Sequence, residues 1–252
     1  MPAEPTPHQR ATADAAPRTP EIAGLRALFI NATLTPSPGL SHTQRLIDRS
    51  AELMRRQGVV VDQIRAVDHA IAFGVQPDLT EHGWQRDDWP ALLERVLAAD
   101  VLVLGTPIWL GERSSVASLV MERLYSASGW TNARGQSIYY GRVGGCLVTG
   151  NEDGIKHCAM SILYGLSHLG YTVPPQADAG WIGEAGPGPS YGDDGAGYDN
   201  DFTNRNAAIM SWNLLHTAAL LRANGGVPTR GNRRDAWAAG DRFDLPEPDE
   251  LP

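Results

Sequence analysis

Cysteine is scarce: Cys146 and Cys158 are the two in a chain of 252 residues. Two thiols cannot build the disulfide framework of a small secreted fold, so a reducing, cytoplasmic setting is expected. Positive charge is short as well. Lys and Arg number 21 against 29 Asp and Glu, a formal net charge of -8. That balance argues against nucleic acid or an anionic membrane surface as the main partner, because both recruit basic patches. No apolar run approaches the roughly 20 residues that cross a bilayer. The stretch Met1 to Pro20 lacks the apolar centre of a secretory signal and is rich in Pro, Ala and Thr, so residues 1–23 are expected to form a disordered leader. Two nucleotide signatures are also missing. There is no Gly-x-x-x-x-Gly-Lys-Ser/Thr, hence no sign of a nucleoside-triphosphate P-loop. No Gly-x-Gly-x-x-Gly follows the first strand, which disfavours a Rossmann dinucleotide site.

What the chain does hold is a regular alternation of short apolar strands and amphipathic helices. Strands are expected at Leu25 to Asn31, from Val59 to Val61, at Val101 to Leu104, at Val143 to Thr149, and near Tyr171 to Val173 resuming around Gln176 to Gly180. Val101-Leu-Val-Leu104 is apolar at every position, as a strand covered on both faces should be. Between the strands lie helical patterns: Leu46, Ile47, Ser50, Ala51 and Met54; then Leu92, Leu93, Val96 and Leu97 behind a cap at Asp88; then Val116, Leu119, Val120 and Leu124. The clearest period runs from Ile155 to Leu169, ended by Gly170, and a last helix covers roughly Thr203 to Ala223. Residues 66–87 read as an irregular connection, and 225–252 as a polar, disordered tail. Such alternation implies one domain with a parallel sheet and helices on both faces.

In an open parallel sheet, ligands bind beyond the carboxyl ends of the strands where strand order reverses. Three loops leave such ends. The first, Thr33 to Gln44, carries five hydroxyl side chains up to Thr43 and opens a helix. A helix N-terminus with unpaired N–H groups stabilises a phosphate without any lysine; Ser41 and Gln44 also fit a capping box, and both roles are compatible. In the second loop, Gly105 to Ser115, Pro107 fixes the backbone, Gly111 permits close approach, and Trp109 offers either a stacking face for a flat ring or a core aromatic. The third, Thr149 to Gly154, has backbone N–H groups that would meet the edge of such a ring, unless Asn151 or Asp153 is simply a helix cap.

These residues resemble a known family. The strand-loop-helix with Ser41-His42-Thr43, and Gly105-Thr106-Pro107-Ile108-Trp109-Leu110-Gly111 followed by Met121-Glu122-Arg123-Leu124, are similar to the NADPH-dependent FMN reductases of the flavodoxin-like superfamily. The resemblance runs roughly from Leu25 to Ala223. It implies a flavodoxin-like α/β three-layer sandwich over residues 24–224, with a five-stranded parallel sheet in the order 2-1-3-4-5. It also implies FMN as cofactor, NADPH or NADH as electron donor, a small-molecule electron acceptor, and a homodimer or homotetramer. The first loop then holds the FMN phosphate, the Thr-Pro-x-aromatic-x-Gly segment lies along the isoalloxazine ring, and an acidic–Arg pair sits on the following helix. Carried onto this chain, the cofactor contacts are Thr33, Ser41, His42 and Thr43; Pro107, Ile108, Trp109, Leu110 and Gly111; and Thr149, Gly150, Asn151, Glu152 and Gly154. Two positions depart from the family pattern: His42 stands where Asn is frequent, and Ser114-Ser115 where Pro is common.

The reading that follows is an FMN-dependent NAD(P)H oxidoreductase; its rival is a flavodoxin-like electron carrier that does not oxidise nicotinamide. Other clusters carry less. His157, Cys158 and His168 lack metal-ligand spacing and no metal is expected; Asp87-Asp88 and Asp193-Asp194 suit caps and turns. Arg113 is a candidate for the adenosine phosphate of NADPH, although a surface arginine is the commoner explanation. The Gly-rich stretch Trp181 to Asp199 is long for a compact domain. It either covers the flavin site or shapes the acceptor pocket, with Trp181 or Tyr191 near the ring, or it makes a surface excursion or an oligomer contact.

Overall fold

The computed structural model describes residues 20–186 and 188–250; the leader expected at residues 1–23 lies almost wholly outside them. In chain order the elements are β1 (Arg26–Asn31), α1 (His42–Arg56), β2 (Val60–Arg65), α2 (Trp89–Leu97), β3 (Val101–Trp109), β4 (Glu112–Arg113), α3 (Ser115–Tyr125), β5 (Val143–Gly150), α4 (Ile155–Leu169), β6 (Asp178–Ile182), α5 (Asp201–Ala223) and the short α6 (Arg234–Ala238). Five strands are parallel and lie in the order β2-β1-β3-β5-β6, and β4 turns back antiparallel on the end of β3. The parallel strands thus follow the expected 2-1-3-4-5 arrangement; numbering the two-residue return as a strand makes it 2-1-3-5-6.

Alternation along each strand feeds two separate cores. Leu28, Ile30, Leu102, Leu104, Cys146 and Val148 face one side, where α2, α3 and α4 pack. Ala27, Phe29, Val101, Val103 and Leu147 face the other, under α1 and α5. Helix α1 buries Leu46, Ile47, Ser50, Ala51 and Met54, the stripe its period predicts. Each fully buried Leu, Ile or Met contributes about 1.5–3 kcal/mol.

Several elements differ from expectation, each for a physical reason. β3 does not end at Leu104 but runs on to Trp109, because β5 accompanies it as far as the Pro107–Thr149 register pair. Pro107 is tolerated there. The Gly105 carbonyl accepts from Ala32 N, so Gly105, and with it Pro107 two residues on, faces the β1 side. β1 has left the sheet by then, so the missing N–H costs no ladder bond. Trp181 belongs to β6 rather than to the loop after it. The cap of α2 is supplied from Asp87, which accepts from Trp89 N, and not from Asp88, which is held by Ala70 N and Arg86. The segment after Gly226 is not without structure among the described residues. Gln136 Nε2 bonds the carbonyls of Val227 and Pro228 and the side chain of Asn232, α6 follows, and Arg234 reaches Ser128 O.

Candidate functional site

β1 and β3 lie side by side while their following helices, α1 and α3, cross to opposite faces; this is the point where strand order reverses. The backbone there is tied down by Asn31, a buried residue at the end of β1. Its Oδ1 accepts from Thr33 N (3.0 Å), and its Nδ2 donates to Ser41 Oγ (3.2 Å) and Gln44 Oε1 (2.9 Å). One side chain therefore closes the whole first loop. Ser41 caps α1 by accepting from Gln44 N at 3.1 Å. Gln44 does not complete a capping box; its amide turns to Asn31, Asp48 and Gln63. At Gly105 a Cβ would sit 2.6 Å from Ile47 Cδ1 and 3.1 Å from Thr43 Cγ2. Glycine lets the first turn of α1 settle on the sheet, and Thr43 Oγ1 then meets Thr149 Oγ1 at 2.7 Å.

These ends enclose a cavity of about 340 Å³. From the sequence-predicted residues, Thr33, Ser41, His42, Thr43, Pro107, Ile108, Trp109, Thr149, Gly150, Asn151 and Glu152 line it. Trp109 is 54% exposed, so it is a wall of the cavity and not a core aromatic. Leu110, Gly111 and Gly154 do not line the cavity; they join two of its loops. Glu152 accepts from Leu110 N (3.0 Å) and Gly111 N (3.2 Å), fixing the turn in which Leu110 and Gly111 both have positive φ. A Cβ on Gly154 would stand 2.6 Å from Gly111 O, which explains a glycine at that contact.

Other wall residues are Leu34, Thr35 and Leu40 from the first loop, and Gly186, Ser190 and Tyr191 from the Gly-rich stretch. The latter stretch covers the cavity and is pinned twice. Asn151 Nδ2 donates to Gly188 O and Pro189 O, both at 2.8 Å, while Ser190 Oγ donates to Asn151 Oδ1. On the other flank His42 Nδ1 accepts from Gly192 N (3.1 Å), and Arg45 donates to Gly192 O. Asn151 and His42 thus line the cavity while holding its cover. The acidic–Arg pair implied for the helix after the second loop, Glu122-Arg123, does lie on α3, but its two members diverge: Glu122 is exposed, and Arg123 pairs with Asp87 at 2.6 Å, both fully buried. Arg113, the candidate for a nucleotide phosphate, donates to Ser118 Oγ at 3.1 Å and stands outside the cavity wall.

The site suits a phosphorylated ligand on its own evidence. Helix α1 opens with the amides of Ser41, His42 and Thr43, which have no acceptor among the described residues, and no acid lies in its first turn. Three such N–H groups at the positive end of a helix attract an anion. In the Thr43–Thr149 pair one hydroxyl donates to the other, leaving one proton for a ligand.

The model of the family described as NADPH-dependent FMN reductase matches residues 25–181. The chain belongs to this family. It has the flavodoxin-like fold, with FMN as the flavin of its family. Among curated relatives, the 8-demethyl-8-aminoriboflavin-5'-phosphate synthase of Streptomyces davaonensis is 38% identical over 203 residues, covering 79% of each chain. A Mycobacterium bovis protein named divalent metal cation transporter MntH is 66% identical over 225 residues, which are 88% of this chain and 33% of that protein. The chain therefore spans about a third of that relative's length, and among the described residues no helix is long and apolar enough to cross a membrane. Among solved structures, RosB with the bound intermediate 8-demethyl-8-formylriboflavin-5'-phosphate superposes with a TM-score of 0.78 at 35% identity, covering 89% of both chains.

Proposed function

We propose that this family member oxidises NADPH or NADH and passes the electrons through bound FMN to a small acceptor. The observation that carries the reading is the convergence of three strand-end loops, with the free amides of α1, on one cavity beside an exposed tryptophan. FMN, when bound, supplies the hydride and electron chemistry. The chain's own residues bind and orient. The amides of Ser41, His42 and Thr43, with the hydroxyls of Ser41 and Thr43, would hold the phosphate; Pro107 and Trp109 would flank the flat ring. Glu152 keeps the Trp109 turn rigid, and Asn151 with His42 holds the cover that excludes water. No side-chain acid is required for a hydride transfer.

A second reading has specific support. The relative at 38% identity and the structure at 35% are both named for riboflavin phosphates altered at position 8, so in this chain the flavin phosphate would be substrate rather than cofactor. One experiment separates the two. The purified protein is loaded with FMN; one portion is titrated anaerobically with NADPH and NADH, a second is held in air, whose dioxygen supplies the oxidant that any change at position 8 requires, and the flavin of each is then released and its mass measured. Bleaching of the flavin absorbance with recovery of unaltered FMN supports the oxidoreductase. An altered flavin mass supports the second reading, and failure of FMN to bind at micromolar concentration (about -8 kcal/mol) removes both.

A further inference from the structure

We propose that the groove between α1 and α5 is a second ligand site, one that takes a small flat aromatic acid. The groove measures about 850 Å³, inside the range of roughly 300–1,000 Å³ typical of small-molecule sites, and shares a single wall residue, Tyr191, with the strand-end cavity.

Its charges are not balanced internally. Of the carboxylates on α1, Glu52 is paired with Arg56 at 3.0 Å, and Asp48 accepts from the amides of Gln44 (2.9 Å) and Gln63 (3.3 Å). Arg45 and Arg49 are different. Among the described residues the acceptor of Arg45 is the carbonyl of Gly192, and that of Arg49 is Asn204 Oδ1 at 3.3 Å, both uncharged. Two guanidinium groups thus face the groove without a counter-ion among the described residues, and a guanidinium is the group best shaped to grip a carboxylate with two parallel hydrogen bonds.

Aromatic surface accompanies that charge. The Arg49 guanidinium lies 5.5 Å from the centre of the Tyr198 ring, Tyr198 meets Tyr191 edge-on at 5.3 Å, and Trp212 lines the groove from α5. A planar apolar body has a wall to lie on while its anion reaches the arginines. The Tyr191 hydroxyl adds an independent sign. Tyr191 is 1% exposed and its Oη has no hydrogen-bond partner among the described residues. Arg49 and Tyr191 both line the groove; burial pushes the Tyr191 hydroxyl up to about 12, and the charge of Arg49 acts on it in the opposite direction. A buried hydroxyl without a partner is rare in folded proteins, and a ligand oxygen would satisfy it.

The test uses the full chain, titrated by calorimetry with 2-naphthoate, its neutral isostere 2-naphthamide and inorganic phosphate, with and without saturating FMN; it therefore does not depend on the flavin reading. The expected result is one saturable naphthoate site per chain, present in both conditions, with naphthamide and phosphate at least about tenfold weaker. Arg49→Gln should weaken naphthoate about tenfold and Arg49→Lys less, while FMN affinity is unchanged in both. Equal binding of naphthoate and naphthamide overturns the proposal, as does displacement of naphthoate by FMN, or no saturable binding up to about 5 mM. So does a change of oligomeric state in Arg49→Gln by sedimentation, which would make the groove an interface between copies.

Discussion

At Ser41 the side-chain oxygen already accepts from Gln44 N and Asn31 Nδ2, and Thr43 already shares a proton with Thr149. Replacing either residue therefore removes a cap or a buried hydrogen bond as well as any contact to a ligand. Loss of the Ser41 cap alone should cost about 0.5–2 kcal/mol of stability. The informative quantity for Ser41→Ala/Thr43→Ala is thus the ratio of FMN to riboflavin affinity. Each lost bond to a charged phosphate should cost about 1.5–3 kcal/mol, so this ratio should fall by tenfold or more in paired calorimetric titrations. An unchanged ratio would mean that the phosphate lies elsewhere. Trp109 is the opposite case. With half its surface exposed it does little for the fold, so Trp109→Ala should lower apoprotein stability by less than the about 3–5 kcal/mol of a buried aromatic. Its fluorescence should be quenched on flavin binding, and Trp109→Phe should remove part of that quenching. A large stability loss with normal flavin binding would take Trp109 out of the site.

At the scale of elements, legibility followed burial. Strands covered on both faces announce themselves as unbroken apolar runs, and the stripe of α1 is visible at helical spacing. Gly105-Thr-Pro107 reads as a turn, because the sequence does not show that β1 has already left the side of β3 that Pro107 faces. Likewise Asn151 and His42 were legible as cavity residues, but their grip on Gly188, Pro189 and Gly192 spans 37 or more positions and leaves no local pattern. The buried pair of Asp87 and Arg123 is hidden in the same way. Asp87 also accepts from Ala72 N, Leu79 N and Trp89 N, and Arg123 reaches Gly74 O and Pro77 O, so this pair organises the whole connection between β2 and α2. Removing one partner leaves a buried charge alone. Asp87→Asn or Arg123→Met should each cost about 3–5 kcal/mol in urea unfolding. The double variant Asp87→Asn/Arg123→Met should recover part of that loss. Equal additive losses would show that no charge coupling exists.

For the molecule as a whole, two interiors packed on one sheet trap several weak acids in neutral form, and this sets how the fold responds to alkali. Burial pushes the Cys158 thiol up from 9.0 to about 11 and the Tyr191 hydroxyl up from 10.0 to about 12, and it raises Cys146, Tyr139 and Tyr171 as well. In the unfolded chain these groups lose their protons at ordinary values. Between the unfolded and folded values, then, the folded state binds more protons than the unfolded one, and stability falls as pH rises. The contribution of Cys158 is fully present below about pH 9 and lost as pH climbs through about 11; that of Tyr191 goes between about 10 and 12. Each group in its window contributes a slope of about 1.4 kcal/mol per pH unit. Urea unfolding of the protein should therefore show stability level near pH 8 and dropping with increasing steepness above pH 9. Cys158→Ala should flatten the segment from about pH 9 to 11 relative to the parent, after its cavity cost has been subtracted at pH 8. At pH 8 both thiols should react with a thiol-exchange reagent only on unfolding, as neutral groups buried from solvent. Parallel pH profiles for parent and Cys158→Ala, or rapid native-state labelling, would show that the thiol beneath Gly111 is not held neutral by the fold.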